Sequence, residues 1–245
     1  MTAVDRPPPH DVAFEPAGDR ALVLRIGHDL SLEAHARVMA ALAAIDRARP
    51  PWVIDVVPAY ASLLVEYDPA HLGAGEAASA LDAIVVGALG PAGQGALPAP
   101  GRRLEVPVWY HPSVAPDLEP LAAEKGVTPG ELIGWHTTTS YRTYALGFRP
   151  GFPFLGVVDP RLVAARLATP RARVAAGSVG VAGRQTGIYP REGPGGWRIL
   201  GRTPLSVFDE ARADPFLVHV GDEVRFVAVD EARYHALAQG ARGAG

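Results

Sequence analysis

The feature that most constrains the fold of this chain is a Gly- and Pro-rich segment without any charge at residues 90–101. The segment has no hydrophobic period, so it predicts a linker or a long loop between two domains. We place an N-terminal domain at residues 1–92, the linker at 93–102 and a C-terminal domain at 103–245. Charge changes at the same position, since the first 100 residues carry a net charge of −6 and the remainder carries +3.

The composition excludes several protein classes. With 27 glycines and 24 prolines in 245 residues, the chain does not suit a helical bundle. The absence of cysteine excludes disulfides, thiolate metal sites and a cysteine nucleophile. The single lysine, Lys125, lies outside any phosphate-binding loop or biotin-attachment context, and the histidines lack metal-ligand spacing. We find neither a membrane-length apolar run nor a signal-peptide core, and we expect a cytoplasmic protein without metal or biotin.

The N-terminal domain has the pattern of a small sheet with helices on one face. Ser31 is placed to cap its first helix, which Pro50-Pro51 ends. The predicted strands are Ala21–Ile26, Trp52–Val57 and Ser62–Tyr67, and a second helix is predicted from Glu76 to Leu89.

The C-terminal domain has the pattern of a β-barrel or a sandwich. It begins with a strand, Arg103–Tyr110, and two short helices, of which the second starts at a capping box formed by Thr128 and Glu131. Turn signals then recur every 8–12 residues. Further strands are predicted at 142–148, 178–182, 197–200, 205–208, 216–220 and 224–229. The predicted fold class is therefore α+β.

Arginine is concentrated between residues 142 and 202. This segment holds ten arginines but only two acidic residues, in a chain whose net charge is −3. Guanidinium groups bind carboxylates and phosphates, so one interpretation is a site for an anionic ligand or an acidic partner. The other interpretation is that arginine serves as the general surface cation of this chain. Nucleic-acid binding is disfavoured, because the chain as a whole is acidic.

Two further residues leave alternatives open. Ser178 directly follows Gly177, which does not fit the G-x-S-x-G pattern, so a hydroxyl contact to a ligand or a turn is favoured over a nucleophile. The small residues around it permit backbone N–H groups to form an anion-binding nest. His136, in the last turn of its helix, suits either a structural bond to backbone or proton transfer to a substrate.

Three long motifs in this order resemble one family. They are GFRPGFPFLG at 147–156, AAGSVGVAGRQTGIYP at 175–190 and GPGGWRILGRTPL at 193–205. The sequence resembles the first-subunit family of the allophanate-hydrolase type, also described as the carboxyltransferase domain, subdomain C/D type. The resemblance implies a small N-terminal α/β sandwich and a C-terminal cyclophilin-like β-barrel.

The resemblance also implies a function. We expect a non-autonomous subunit of an ATP-dependent 5-oxoprolinase complex, a hydrolase that opens 5-oxoproline to glutamate. The expected partners are a third subunit and a second subunit, which corresponds to allophanate hydrolase subunit 2 or to the C subunit of 5-oxoprolinase. ATP is the expected cosubstrate of the complex. Two alternatives remain, a regulatory protein that inhibits a sensor histidine kinase and a subunit of an allophanate hydrolase or urea carboxylase system.

The expected site residues fall into two sets with different roles. Those expected to orient the cyclic amide or to move a proton are His136, Gln185 and Tyr189. Those expected to bind the substrate or an anion, through guanidinium, backbone or hydroxyl groups, are Arg149, Gly177, Ser178, Arg198 and Arg202. We also expect an aromatic surface for the second subunit, formed by Phe148, Phe152, Phe154 and Trp197.

Overall fold

The structure is a computed structural model that describes residues 12–28, 30–90 and 101–242. The chain forms two compact units, residues 1–99 and 100–245. Most of the predicted linker, 93–102, lies outside the described residues. None of the described helices combines the length and the apolar character that a bilayer crossing needs.

The first unit is a four-stranded antiparallel sheet with two helices on one face. Its elements are β1 (Ala13–Pro16), β2 (Ala21–Arg25), α1 (Leu32–Ala48), β3 (Val53–Ala59), β4 (Ser62–Tyr67) and α2 (Ala74–Leu89). The strand order is β1-β2-β4-β3. Alternate residues of β2 and β4, such as Leu24 and Val65, are buried against α1 and α2. This arrangement confirms the predicted α/β sandwich.

Local sequence explains where α1 begins and ends. The Ser31 side chain accepts a hydrogen bond from the Ala34 N–H at 3.1 Å, which satisfies one of the free donors at the helix start. Arg49 adopts a left-handed conformation at the other end, and the Pro50-Pro51 pair follows. The predicted cap and the predicted stop are therefore both confirmed.

The second unit is built around a closed barrel of seven strands. Its elements are β5 (Arg103–Trp109), α3 (Leu118–Lys125), α4 (Pro129–Thr137), β6 (Ser140–Leu146), β7 (Pro153–Gly156), β8 (Arg171–Val174), β9 (Ser178–Ala182), β10 (Gln185–Ile188), β11 (Gly193–Gly195), β12 (Arg198–Arg202), β13 (Glu223–Val229) and α5 (Glu231–Arg242). The barrel order is β6-β13-β5-β12-β9-β10-β7, and pairing of β7 with β6 closes it. A separate two-stranded ribbon joins β8 to β11.

The barrel has an inner and an outer apolar cluster. The inner cluster fills the barrel with side chains such as Val106, Val181 and Phe226. The outer cluster lies beside the β8–β11 ribbon and contains Phe152 and Trp197. The α+β class and the barrel are confirmed.

Several local predictions are wrong. The segments 205–208 and 216–220 form no strand beyond a single bridge between Phe208 and Phe216. Five short strands were not predicted, namely β1, β7, β8, β10 and β11. They are too short, or too rich in Gly and Pro, to produce a hydrophobic period. Pairing with neighbours in the sheet, rather than intrinsic propensity, sets these strands.

Candidate functional site

Ser178, Arg202 and Trp109 form a row across three neighbouring strands on the outside of the barrel. Arg202 of β12 is in register with Ser178 of β9 and with Trp109 of β5. Directly paired residues of adjacent strands place their side chains on the same face. A bulge between Ile199 and Gly201 shifts the alternation of β12, so that Arg202 points outward although Leu200 packs in the barrel core.

Arg202 also lines two cavities on this side of the barrel. The first has a volume of about 240 Å³ and lies between the segment 112–116, the β8 strand and the Ser178 and Arg202 side of the row. The second, of about 280 Å³, lies between Gly177, the segment 203–206 and the α5 helix. Further side chains on the wall of the first cavity are Ser113, Arg171, Arg173 and Ser178. The wall of the first cavity therefore carries three guanidinium groups and two hydroxyl groups.

The guanidinium of Arg202 is hydrogen-bonded to the backbone but is not paired with a described carboxylate. Its Nε donates a hydrogen bond to the Ala176 carbonyl oxygen at 2.9 Å, and it forms no ion pair with any described carboxylate. Six other arginines of the 142–202 segment do form such pairs. These are Arg142 with Glu223, Arg161 with Asp159, Arg171 with Asp117, Arg173 with Glu192, Arg191 with Glu210 and Arg198 with Glu124. Arg202 is thus an uncompensated cation on a cavity wall, where an anion would be bound favourably.

Gly177 fixes the backbone on which Ser178 sits. It has a φ of 77°, and a Cβ atom at this position would lie 2.4 Å from the Thr203 carbonyl oxygen. Its N–H donates to the Tyr189 carbonyl oxygen at 2.7 Å, and its carbonyl oxygen accepts from Thr203 N–H at 2.9 Å. Only glycine combines a positive φ with the absence of a Cβ atom, and this position requires both. Two of the sequence motifs therefore meet here through backbone contacts.

Asp117 binds Arg171, one of the arginines on the wall of the first cavity. Its carboxylate accepts two hydrogen bonds from the Arg171 guanidinium, at 2.7 and 2.9 Å, and a third from the Ile199 N–H at 2.7 Å. The Asp117 side chain is 6% exposed, whereas Arg171 is 30% exposed. This bidentate pair fixes the Arg171 side chain on the cavity wall.

His136 lies inside the barrel and lines neither cavity. Its Nε2 is 2.9 Å from the Thr186 hydroxyl, and its Nδ1 is 2.7 Å from the Tyr110 hydroxyl. Thr186 donates its only hydrogen to the Gly180 carbonyl oxygen, so it accepts from His136 Nε2–H, and Nδ1 accepts from Tyr110. Burial lowers the pKa of His136 to about 3. The imidazole is therefore neutral and fully bonded, and its expected role in proton transfer remains a prediction.

The other predicted site residues lie outside the two cavities. Gln185 starts β10, where it pairs with Ala182 of β9 and Gly156 of β7. Tyr189 is buried edge-on against Phe152, at 5.2 Å between ring centroids, and burial raises the pKa of its hydroxyl. Arg149 donates to the Glu192 carbonyl oxygen, and Arg198 is bonded to Glu124. The structure thus brings together Gly177, Ser178 and Arg202 from the predicted set.

The expected aromatic surface is mostly absent. Phe152 is 1% exposed and Trp197 is 5% exposed, because both pack in the outer cluster, and Phe154 packs partly buried against it. Phe148 alone of the four is exposed, at 65%. That expectation is therefore wrong for Phe152 and Trp197, which contact each other and the partly buried Phe154.

Sequence reasoning missed several residues of the cavity walls. Arg171 and Arg173 lie in the arginine-rich segment, but nothing in their local sequence separates them from the other arginines. Tyr234 of α5 lines the second cavity and contacts Trp109, with ring centroids 5.4 Å apart. These residues are far apart in the sequence, so no motif contains them.

Comparison with known proteins identifies relatives along most of the chain. Residues 12–218 match the family described as "Carboxyltransferase domain, subdomain C and D". The B subunit of 5-oxoprolinase from Bacillus subtilis (strain 168) is 39% identical over 230 residues, covering 91% of this chain and 95% of the relative.

Solved structures show the same fold. The crystal structure of TTHA0988 superposes with a TM-score of 0.74 at 42% identity; the match covers 86% of this chain but only 40% of that longer chain. The urea carboxylase of Kluyveromyces lactis has a TM-score of 0.73 at 19% identity, over 93% of this chain and 22% of the other. At that identity the second likeness concerns the fold alone.

Proposed function

The chain belongs to the family of the carboxyltransferase domain, subdomain C and D, and we propose that it acts as the B subunit of a 5-oxoprolinase complex. The reaction of such a complex is the ATP-dependent hydrolysis of the lactam of 5-oxoproline, which yields glutamate. The likeness to the Bacillus subtilis relative over nearly its full length supports this proposal. The proposed partners are two further subunits. The second subunit corresponds to the C subunit of 5-oxoprolinase or to allophanate hydrolase subunit 2, and a third subunit completes the complex. The proposed location of the complex is the cytoplasm.

One observation carries the proposed role of this chain within the complex. Arg202 forms no ion pair with any described carboxylate, lines both cavities and lies beside Ser178 on the wall of the first. 5-Oxoproline carries a carboxylate and ATP carries phosphates, so both ligands offer an oxyanion to such a group. We assign to Arg202 and Ser178 the binding of one of these oxyanions, which would orient the reacting amide or the phosphoryl group.

We expect the isolated chain to have no 5-oxoprolinase activity. The Bacillus subtilis relative is named as one subunit of 5-oxoprolinase, and within the described residues of this chain there is no cluster of potential metal ligands. Glutamate release from 5-oxoproline is measured with and without ATP, first for this chain and then for the chain co-expressed with its companion subunits. Turnover by the isolated chain would contradict the requirement for partners, and an inactive but assembled complex would contradict the proposed reaction.

Replacing Arg202 with alanine is expected to lower kcat/KM of the assembled complex by roughly 10- to 100-fold. The loss corresponds to a hydrogen bond to a charged group, worth about 1.5–3 kcal/mol. Separate titrations of 5-oxoproline and ATP identify the ligand. The substrate whose KM rises in the variant is the one whose oxyanion Arg202 binds. Arg202→Lys retains the charge but not the planar fork, and we expect partial activity.

Arg184→Ala is the matched control for this experiment. Arg184 is exposed, forms no ion pair with the described residues and lines neither cavity. Its replacement removes the same charge from the same unit and is expected to leave turnover unchanged. If Arg202→Ala and Arg184→Ala behave alike in a complex that assembles and melts normally, Arg202 does not bind the substrate.

A further inference from the structure

The hairpin loop between β6 and β7 presents one aromatic ring to solvent in an unusual conformation. Phe148 has a φ of 63°, a value that bulky residues rarely adopt. The Arg149 N–H donates to the Gly147 carbonyl oxygen at 2.6 Å, which makes this a γ-turn of the strained type. Among the described residues of the barrel unit, Phe148 is the only exposed large hydrophobic side chain. The fold gains little burial from this ring and tolerates strain to display it.

Hydrogen bonds and packing contacts hold the loop around Phe148 in place. The Gly147 N–H donates to the Phe152 carbonyl oxygen at 3.2 Å, and the Phe152 N–H donates to the Arg149 carbonyl oxygen at 3.0 Å. Gly151, with a φ of 77°, packs against the Phe208 side chain, which a Cβ atom would approach to 2.5 Å. The Phe152 ring supports Phe148 edge-on at 5.7 Å. A ring held in this way loses little conformational freedom when a partner covers it.

A cation accompanies the ring. The Arg149 guanidinium lies 5.7 Å from the centroid of the Phe148 ring and donates to the Glu192 carbonyl oxygen at 3.0 Å. It forms no ion pair with any described carboxylate. The surface thus combines one preorganised aromatic side chain with one uncompensated positive charge, and aromatic residues and arginine are the side chains enriched at binding hot spots.

We propose that Phe148 is the anchor through which this chain docks onto the second subunit, here called the companion subunit, in an apolar pocket with a carboxylate at its rim. The proposal rests on the proposed function for the identity of the partner. The positive charge of Arg149 favours an acidic rim on the partner, and it disfavours a second copy of the same loop, whose Arg149 would oppose it. The loop thus has a role in assembly that is separate from the cavities at Arg202.

The test measures the affinity and the stability of the same variant. Phe148→Gly removes the ring and relieves the positive φ, so the isolated chain is expected to melt at the same temperature or higher. Its Kd for the purified companion subunit is expected to rise by about 30-fold or more, as for a hot-spot residue. Phe148→Tyr retains the ring and is expected to bind as the wild type does. Leu32→Ala, which removes an exposed apolar side chain from the other unit, is the control.

The following outcomes would overturn the proposal. An unchanged Kd for Phe148→Gly shows that the ring is not an anchor, and a lower melting temperature shows that it supports the fold. If light scattering finds a wild-type dimer that Phe148→Gly dissociates, the ring serves self-association. We further expect added salt to weaken binding of the wild type more than binding of Arg149→Ala. Failure of this proposal and failure of the proposed reaction are distinguishable, because Kd can be compared even in a complex that assembles without turnover.

Discussion

Asp117→Ala is expected to lower the stability of the barrel unit by about 3 kcal/mol, at the low end of the range for breaking a buried ion pair. The change leaves the Arg171 guanidinium and the Ile199 N–H without their shared acceptor. The low end applies because Arg171 is partly solvated. For a unit of this size, the expected fall in melting temperature is about 6–12 °C.

The exposed ion pair on the neighbouring ribbon provides the control for Asp117. Glu192 pairs with Arg173 through a comparable short contact, but both side chains are more than half exposed. Glu192→Ala is therefore expected to cost less than about 1 kcal/mol. Asp117→Asn, which keeps an oxygen acceptor but loses the charge, is expected to fall between the two. Equal melting shifts for Asp117→Ala and Glu192→Ala would show that burial does not determine the strength of these pairs.

Elements with a local signal could be predicted from the sequence, and elements without one could not. The capping box at Thr128 and Glu131 satisfies two backbone donors by itself, so the start of α4 was evident from four residues. The strand β7 contains a proline and a glycine in four residues and depends on pairing with β6 and β10. Its partners lie up to about 30 residues away along the chain, and no local pattern encodes their register.

The same distinction applies to the candidate site. The motif at 175–190 and the motif at 193–205 were each recognisable, and the structure joins them through the Gly177–Thr203 contact and the Ser178–Arg202 register. The local charge of the arginine-rich segment was misleading, because Asp117, Glu124, Glu210 and Glu223 neutralise four of its arginines from outside the segment. Only the fold separates Arg202 from arginines that are already paired.

His136 is expected to make the barrel unit sensitive to mild acid. The folded-state pKa of about 3 lies below the ordinary value of 6.5, because the buried imidazole is neutral and bonded at both nitrogens. Between these values the unfolded chain binds a proton that the folded chain does not bind. The contribution of His136 to stability is therefore fully present above pH 6.5 and is lost progressively as the pH falls, by up to about 1.4 kcal/mol per pH unit.

Urea unfolding at a series of pH values between 7.5 and 5 measures this effect. In this range the carboxyl groups with lowered pKa, such as Glu131 and Asp159, remain ionised in both states. We expect a loss of about 2 kcal/mol for the wild type from His136 alone. Fluorescence reports mainly on this unit, which holds three of the four tryptophans.

His136→Phe preserves a ring against Phe226, whose centroid lies 4.5 Å from the imidazole, but leaves the Tyr110 hydroxyl without its acceptor. The variant is therefore expected to be less stable at pH 7.5, with a shallower dependence on pH. Parallel curves for the wild type and the variant would assign the acid sensitivity to another group and remove the physical case for a neutral, structural His136.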